Sequence, residues 1–199
     1  VEMTDDKWKI SNLEDVSDAG LLPGVIMPES SGSEVAIADL ADQLLDALAE
    51  KDMEEVKVFV HPEKGVRFSP YSYVDVEQHF VFMPDAVEAF FQDDTEYEWG
   101  IYDGKGDPIV LTPADYYDEF IFDLDFRNAD EVSYNEQLFQ GNMINNAPDI
   151  YPDAVIVEYH FEGIEEQYAG MDWRSLRLVF EPFGAEWKLV GIIHDEWTI

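Results

Sequence analysis

The sequence predicts an α+β fold whose C-terminal antiparallel strands carry much of the core. Three observations lead there. Residues 154–199 read AVIVEYHFEG, a polar break, then DWRSLRLVFEPFGAEWKLVGIIHDEWTI. Their β-branched, aromatic and aliphatic runs are separated by glycine, proline and acidic clusters, the pattern of consecutive antiparallel strands. Upstream, Val35, Ile37, Ala38, Ala41, Leu44, Leu45 and Leu48 recur at helical spacing. Between these two regions, short apolar runs alternate with turn formers.

Residues 1–33 hold turn formers at Gly20, Pro23, Gly24, Pro28 and Gly32 and no sustained period. They read as an N-terminal arm closed by a linker at 29–33, with Trp8, Ile10 and Leu13 able to dock on the domain. Such an arm suits a tether between a membrane anchor and a folded head. Residues 34–199 form the single α+β domain. Ser33 suits a helix N-cap, with Glu34 in the first turn to meet the helix dipole. Lys51 and Asp52 break that helix. Met53, Val56, Phe59 and Val60 make a shorter one that stops near His61-Pro62, because proline disfavours helix at the residue before it. Residues 65–68 form a short strand ended by Pro70, and 73–82 read equally as strand or loop. Pro84 opens a helix running to Phe91. Residues 96–102 and 108–111 form a hairpin around the glycine-rich turn 103–107. Thr112 and Pro113 cap and open another helix, with Tyr116, Tyr117, Phe120 and Ile121 on its apolar side. Residues 127–151 read as loop with short strands.

Composition narrows the function classes. A chain of 199 residues with 46% hydrophobic residues can bury a substantial core. Against 45 acidic residues stand 11 basic ones, a net charge of −34. That surface repels nucleic-acid phosphates and anionic lipid, so no nucleic-acid partner is expected, while cations associate weakly. The charge also costs stability by self-repulsion unless salt screens it. There are no cysteines, which excludes disulfides and thiol chemistry. No apolar run approaches the ~20 residues that span a bilayer. Val1 is not a natural start, so a removed leader or lipid anchor is the one membrane connection expected.

The order helix, short helix, HPEKGVRFSPY, helix, hairpin, helix, then long strands ending WKLVGIIHDEWTI resembles the nuclear-transport-factor-two-like (cystatin-like α+β) superfamily. The resemblance covers residues 34–199 and implies a curved antiparallel sheet wrapped around the N-terminal helix as a cone with an open end. More narrowly, VHPEKGVRFSPY, GMDWRSLRLVF and GIIHDEWTI resemble bacterial proteins, often lipoproteins, of unassigned function. The superfamily hosts isomerases, dehydratases, polyketide cyclases and non-catalytic scaffolds, so fold does not settle function.

Four residues are the pocket candidates. Strand alternation puts His194 and Asp195 on opposite faces, so they cannot form a dyad together. Either is a candidate base if it faces the cone interior, and the competing reading of His194 is a core histidine with one satisfied hydrogen bond. Tyr159, if it points inward, brings Val155, Val157 and Phe161 with it. Arg177 shares a face with Trp173, Ser175 and Val179; once buried it needs a carboxylate partner or an anionic ligand. His61, before Pro62, matches a superfamily position that implies a structural job. Alternation in the last strand also puts Trp187, Ile193 and Trp197 on one face, which predicts an indole cluster with Trp173.

No metal site and no cofactor are expected. Neither a His-x₃-His pair nor HExxH is present. The loop 103–107 has Lys105 where a calcium loop needs a ligand, and Ala114 stands at the twelfth position. The acids at Asp93-Asp94 and Asp123-Leu124-Asp125 collect cations only as any acidic cluster does.

Two functions follow as expectations. One is a non-catalytic extracytoplasmic binding or interaction domain, lipid-tethered or secreted, that takes a small apolar ligand or a protein partner and pairs as a homodimer. The other is a small isomerase, dehydratase or cyclase in which His194 or Asp195 is the base and Tyr159 or Arg177 stabilises an enolate. A filled cone interior favours the first; an open one with converging polar groups favours the second.

Overall fold

The long apolar-striped segment and the C-terminal runs meet as helix against sheet. The structure, a computed structural model, describes residues 30–198, with side chains from residue 36 onward. The proposed arm therefore lies outside the described residues, except that Ser30 to Ser33 belong to the first helix. Helix α1 spans Ser30–Ala49 and buries Ile37, Ala41, Leu44, Leu45 and Leu48, one face at helical spacing. Ser33 thus lies inside the helix and does not cap it; residues 30–33 hold no proline to forbid the extra turn. Lys51 takes a left-handed conformation (φ 57°) and breaks the helix where expected. Asp52 then caps α2 (Met53–Phe59), its side chain accepting from the Glu55 N–H.

The main sheet has six strands: β1 (Val66–Ser69), β2 (Val81–Phe82), β5 (Glu131–Tyr134), β6 (Val155–Phe161), β7 (Arg174–Phe183) and β8 (Glu186–Glu196). Their order across the sheet is β2-β1-β8-β7-β6-β5. The sheet is not wholly antiparallel as expected, because β1 runs parallel to β8, with Arg67 opposite Gly191 and Ser69 opposite Ile193. A parallel pair needs a long crossover, and here nearly the whole domain lies between the two strands. The other pairings are antiparallel. Gly65 (φ +68°) enters β1 where a Cβ would lie 2.6 Å from the Phe82 carbonyl oxygen, so glycine is required at that approach.

Shorter elements close one face. Proline opens α3 (Pro84–Glu88), and β3 (Tyr97–Ile101) pairs with β4 (Pro108–Leu111) as a separate hairpin. Thr112 caps α4 (Pro113–Tyr116), which continues as one wider turn through Tyr117–Ile121. Beyond β5, the short helix α5 (Ala147–Ile150) lies over the other face. No helix among the described residues is long and apolar enough to cross a membrane.

The two sheet faces build two cores. The helix-side core gathers α1, α2, Val157, Tyr159, Leu176, Leu178, Phe180, Leu189 and Ile192. The far-side core is smaller: Val74, Ala147, Ile156, Val179, Val190 and Ile193. Val179 pairs with Gly191 but Phe180 pairs with Leu189, so Val190 is the extra residue of a β-bulge. The bulge inverts the alternation of β8. Leu189 faces α1 with Ile192, and Ile193 faces the far side, so the expected single face from Trp187 to Trp197 does not exist. Trp187 packs against the helix-side core and Trp173 is buried against Phe139 at 4.7 Å. Trp197 lies past the end of β8 and is 39% exposed, so it anchors no core and the indole cluster does not form.

Candidate functional site

The helix-side interior, where a cone pocket belongs, is packed with rings. Trp99 from β3 stacks on Tyr116 from α4 at 3.9 Å, and its indole N–H donates to the Leu111 carbonyl at 2.9 Å. Phe68, Phe82 and Phe90 meet Trp99 at 6.0, 5.7 and 6.4 Å, and Tyr116 lies 5.2 Å from Phe120. A void of about 10 Å³ remains between α1, α2 and β8, lined by Leu48, Met53, Val56, Phe68, Phe90 and Ile192. That holds about one water and no substrate.

Alternation separates the four candidate residues as expected for His194 and Asp195. His194 and Tyr159 point to the helix side in one row, each opposite Leu176 of β7, which stands between them. Two strand spacings of roughly 4.8 Å keep their backbones apart. Tyr159 turns toward Asp42 of α1, and burial is the main reason its hydroxyl titrates well above the ordinary tyrosine value. The two do not converge on a shared space.

His194 is fully buried, 0% exposed, at the end of that interior. Its Nδ1 lies 3.3 Å from the Pro70 carbonyl and its ring meets Phe120 edge-on at 5.6 Å. Its Nε2 lies 3.4 Å from Asp123 Oδ1, and neither atom has a nearer polar partner. Asp123 also accepts from Arg174 Nε at 2.8 Å, and Arg174 reaches Glu196 at 3.0 Å. Burial works to lower the His194 pKa, but the Asp123 hydrogen bond and the charges of Asp123 and Glu196 outweigh it and hold the imidazole above 6.5. Asp123 is held low for the mirror reason: burial opposes ionisation, while His194 and Arg174 more than offset it.

The shift fixes a pH dependence. A histidine with a raised folded pKa adds stability that is full below the unfolded value of about 6.5 and fades as pH rises through the folded value. Urea midpoints of the native protein should therefore fall from pH 6 toward pH 9 by an amount that His194→Gln removes. Equal slopes in the two proteins would show that the His194 pKa is the same in the folded and unfolded chains.

Arg177 and Asp195 point to the far side and touch directly. Arg177 Nη2 donates to Glu158 Oε1 at 2.8 Å, and Nη1 donates to Ser72 Oγ at 2.8 Å and Asp195 Oδ2 at 3.2 Å. Ser72 also donates to Asp195. The loop after β5 joins the network: the Leu138 N–H donates to Glu158 Oε2 at 3.1 Å, and Nη2 approaches the Phe139 carbonyl at 3.4 Å. Arg177, Glu158, Ser72 and Asp195 are each 3% exposed or less. Burial raises the Asp195 pKa, with Arg177 pulling against it. Arg177 thus has the carboxylate partner it needs, and Asp195 serves that pair instead of a cone pocket.

Beside this network a cleft of about 310 Å³ opens between β6 and the segment 135–152, with Arg177 and Glu158 in its wall. Arg177 Nε is buried and has no partner. Sequence reasoning missed Glu158, Ser72 and the cleft. The available signal was the single acid inside the apolar strand VIVEYHF.

The remaining histidines hold local structure. His61 Nδ1 accepts from the N–H groups of Glu63 and Lys64 at 3.1 and 3.0 Å, turning the chain after α2. His79 Nδ1 meets Ser69 Oγ at 2.9 Å, and burial lowers its pKa to about 4. His160 Nδ1 meets Ser175 Oγ at 2.8 Å. The acids at Asp123 and Asp125 are taken by Arg174 and Arg127. No group of three or more histidine or acidic side chains among the described residues is placed to hold a metal ion.

No family model matches the chain, and no curated protein matches it. Among solved structures, a Xanthomonas campestris protein assigned as a calcium/calmodulin dependent protein kinase II association domain is 13% identical; the match covers 92% of this chain and 97% of that one, with a TM-score of 0.35. A designed NTF2-like protein is 12% identical over 83% of this chain and 96% of its own, with a TM-score of 0.32. The fold class stands on the chain's own elements, a long N-terminal helix laid against a six-stranded sheet with short helices and a hairpin closing the same face.

Proposed function

We propose that this domain is a non-catalytic binding or interaction module. The observation that carries the reading is the filled interior. A small-molecule enzyme on this architecture needs a cavity of roughly 300–1,000 Å³ with a base in hydrogen-bond reach of the substrate. Here aromatic rings occupy that space, and the His194–Asp123 pair is closed off at its end. An extracytoplasmic setting, tethered by lipid or secreted, is part of the same proposal; the resemblance of three segments to bacterial proteins that are often lipoproteins, and the strongly acidic composition, support it.

An apolar probe tests the reading. Trp99 sits in the interior at 0% exposure and reports on anything that enters. Titrating the native protein with anilinonaphthalene sulfonate and with a neutral steroid should give no saturable quenching of its emission. Stoichiometric quenching that Trp99→Phe abolishes would show that the interior admits a ligand and would overturn the reading drawn from a filled one.

A further inference from the structure

We propose that the far-side cleft is a binding site for an uncharged ligand that presents a carbonyl oxygen, of the peptide-bond or N-acetyl type, to Arg177 Nε. The inference rests on the binding reading above, but its site is on the opposite sheet face from the filled interior. Its first support is an unmet donor. Both terminal nitrogens of Arg177 are held by Ser72, Glu158 and Asp195, which fixes the plane of the guanidinium. The remaining N–H, on Nε, is buried with no acceptor, while the residue itself lines a cleft of about 310 Å³. A buried donor left unmet is unfavourable, and an acceptor delivered from the cleft relieves it.

Charge then selects the ligand class. The Arg177 charge is already matched by Glu158 at 2.8 Å, with Asp195 behind it and Glu136 in the cleft lining. An anion entering the cleft meets those carboxylates and a chain of net charge −34, with no unmatched cation to offset them. A cation at the cleft base meets a guanidinium and an N–H donor. A neutral acceptor satisfies the donor and disturbs neither charge. The amides agree. Asn135 accepts the Ile156 N–H through Oδ1, so its amino group is a donor in the cleft lining, while the Asn145 amino group donates to Gln137 Oε1 at 3.4 Å. Tyr151 and Pro152 supply the apolar part of the wall.

Nitrogen-edited magnetic resonance of the labelled protein reads the Arg177 Nε–H directly. The probes are N-acetylglycine N-methylamide and N-acetylglycine, one skeleton in neutral and anionic forms. The neutral probe should shift the Nε–H signal and the Ala154 amide saturably in the millimolar range, and the anion should bind at least about tenfold more weakly. Ala154→Phe, which fills the cleft without touching the ion network, should abolish the shifts; if it melts early, Gln137→Leu on the exposed lining should weaken them several-fold. Equal or tighter binding of the anion, a silent Nε–H, or full binding by the cleft-filled variant would overturn the site. A silent cleft leaves the module reading standing, whereas apolar-probe uptake on the helix side sinks that reading and leaves this one.

Discussion

Replacing Arg177 with alanine is expected to destabilise the fold by about 3–5 kcal/mol, because it leaves Glu158 and Asp195 buried without their cation. The two carboxylates are 1% and 3% exposed and lose the cation that both of them bind. The loop loses as well, since the guanidinium reaches the Phe139 carbonyl and fixes the carboxylate that binds the Leu138 N–H. Denaturant melts of three proteins separate the causes. Arg177→Ala should fall furthest. The triple change Arg177→Met, Glu158→Leu, Asp195→Leu should recover much of the loss, since an apolar replacement of a whole buried ion group is often neutral or better. A triple variant as unstable as the single one would show that shape, not uncompensated charge, sets the cost.

The second large effect is expected at Trp99. Trp99→Ala should cost about 3–5 kcal/mol, the range for emptying a buried large aromatic site. The ring contacts β1, β2 and α4 together, so its loss opens a cavity at their junction. For a domain of this length that corresponds to a melting point lower by roughly 10–15 °C, read by calorimetry. Trp99→Phe should cost clearly less, because the stack on Tyr116 survives while the indole hydrogen bond to Leu111 is lost. Equal losses would show that the hydrogen bond, not the packing, holds the hairpin down.

Much of this fold was legible because period and patterning agree. Seven apolar residues at helical spacing announce α1, and the C-terminal runs announce three long strands. The opposite orientation of His194 and Asp195 followed from alternation alone, as did the need of Arg177 for a carboxylate. What failed has physical causes. Alternation carries no mark of an inserted residue, so Val190 silently exchanged the faces of Trp187 and Leu189. Trp197 was read as part of a strand that ends one residue earlier. Glu158 and Ser72 could not be assigned as partners of Arg177, because the residues lie 19 and 105 positions away and only the folded sheet brings them together. The cleft was illegible for a related reason: its outer wall is a segment with little regular structure, and nothing periodic marks where it lands.

The parallel pair of β1 and β8 has a consequence for how the chain is made. The strand that sits between β1 and β7 comes last in order among the described residues. During synthesis β1 leaves the ribosome more than a hundred residues before β8, the strand it docks on, so the β1–β2 pair waits with an open edge. Neither half is complete until β8 has been made, and such sequence-distant pairing makes folding slow. Acidic repulsion then has a second use: it keeps neighbouring nascent chains apart during the interval in which the β8-facing edge of β1 is unpaired.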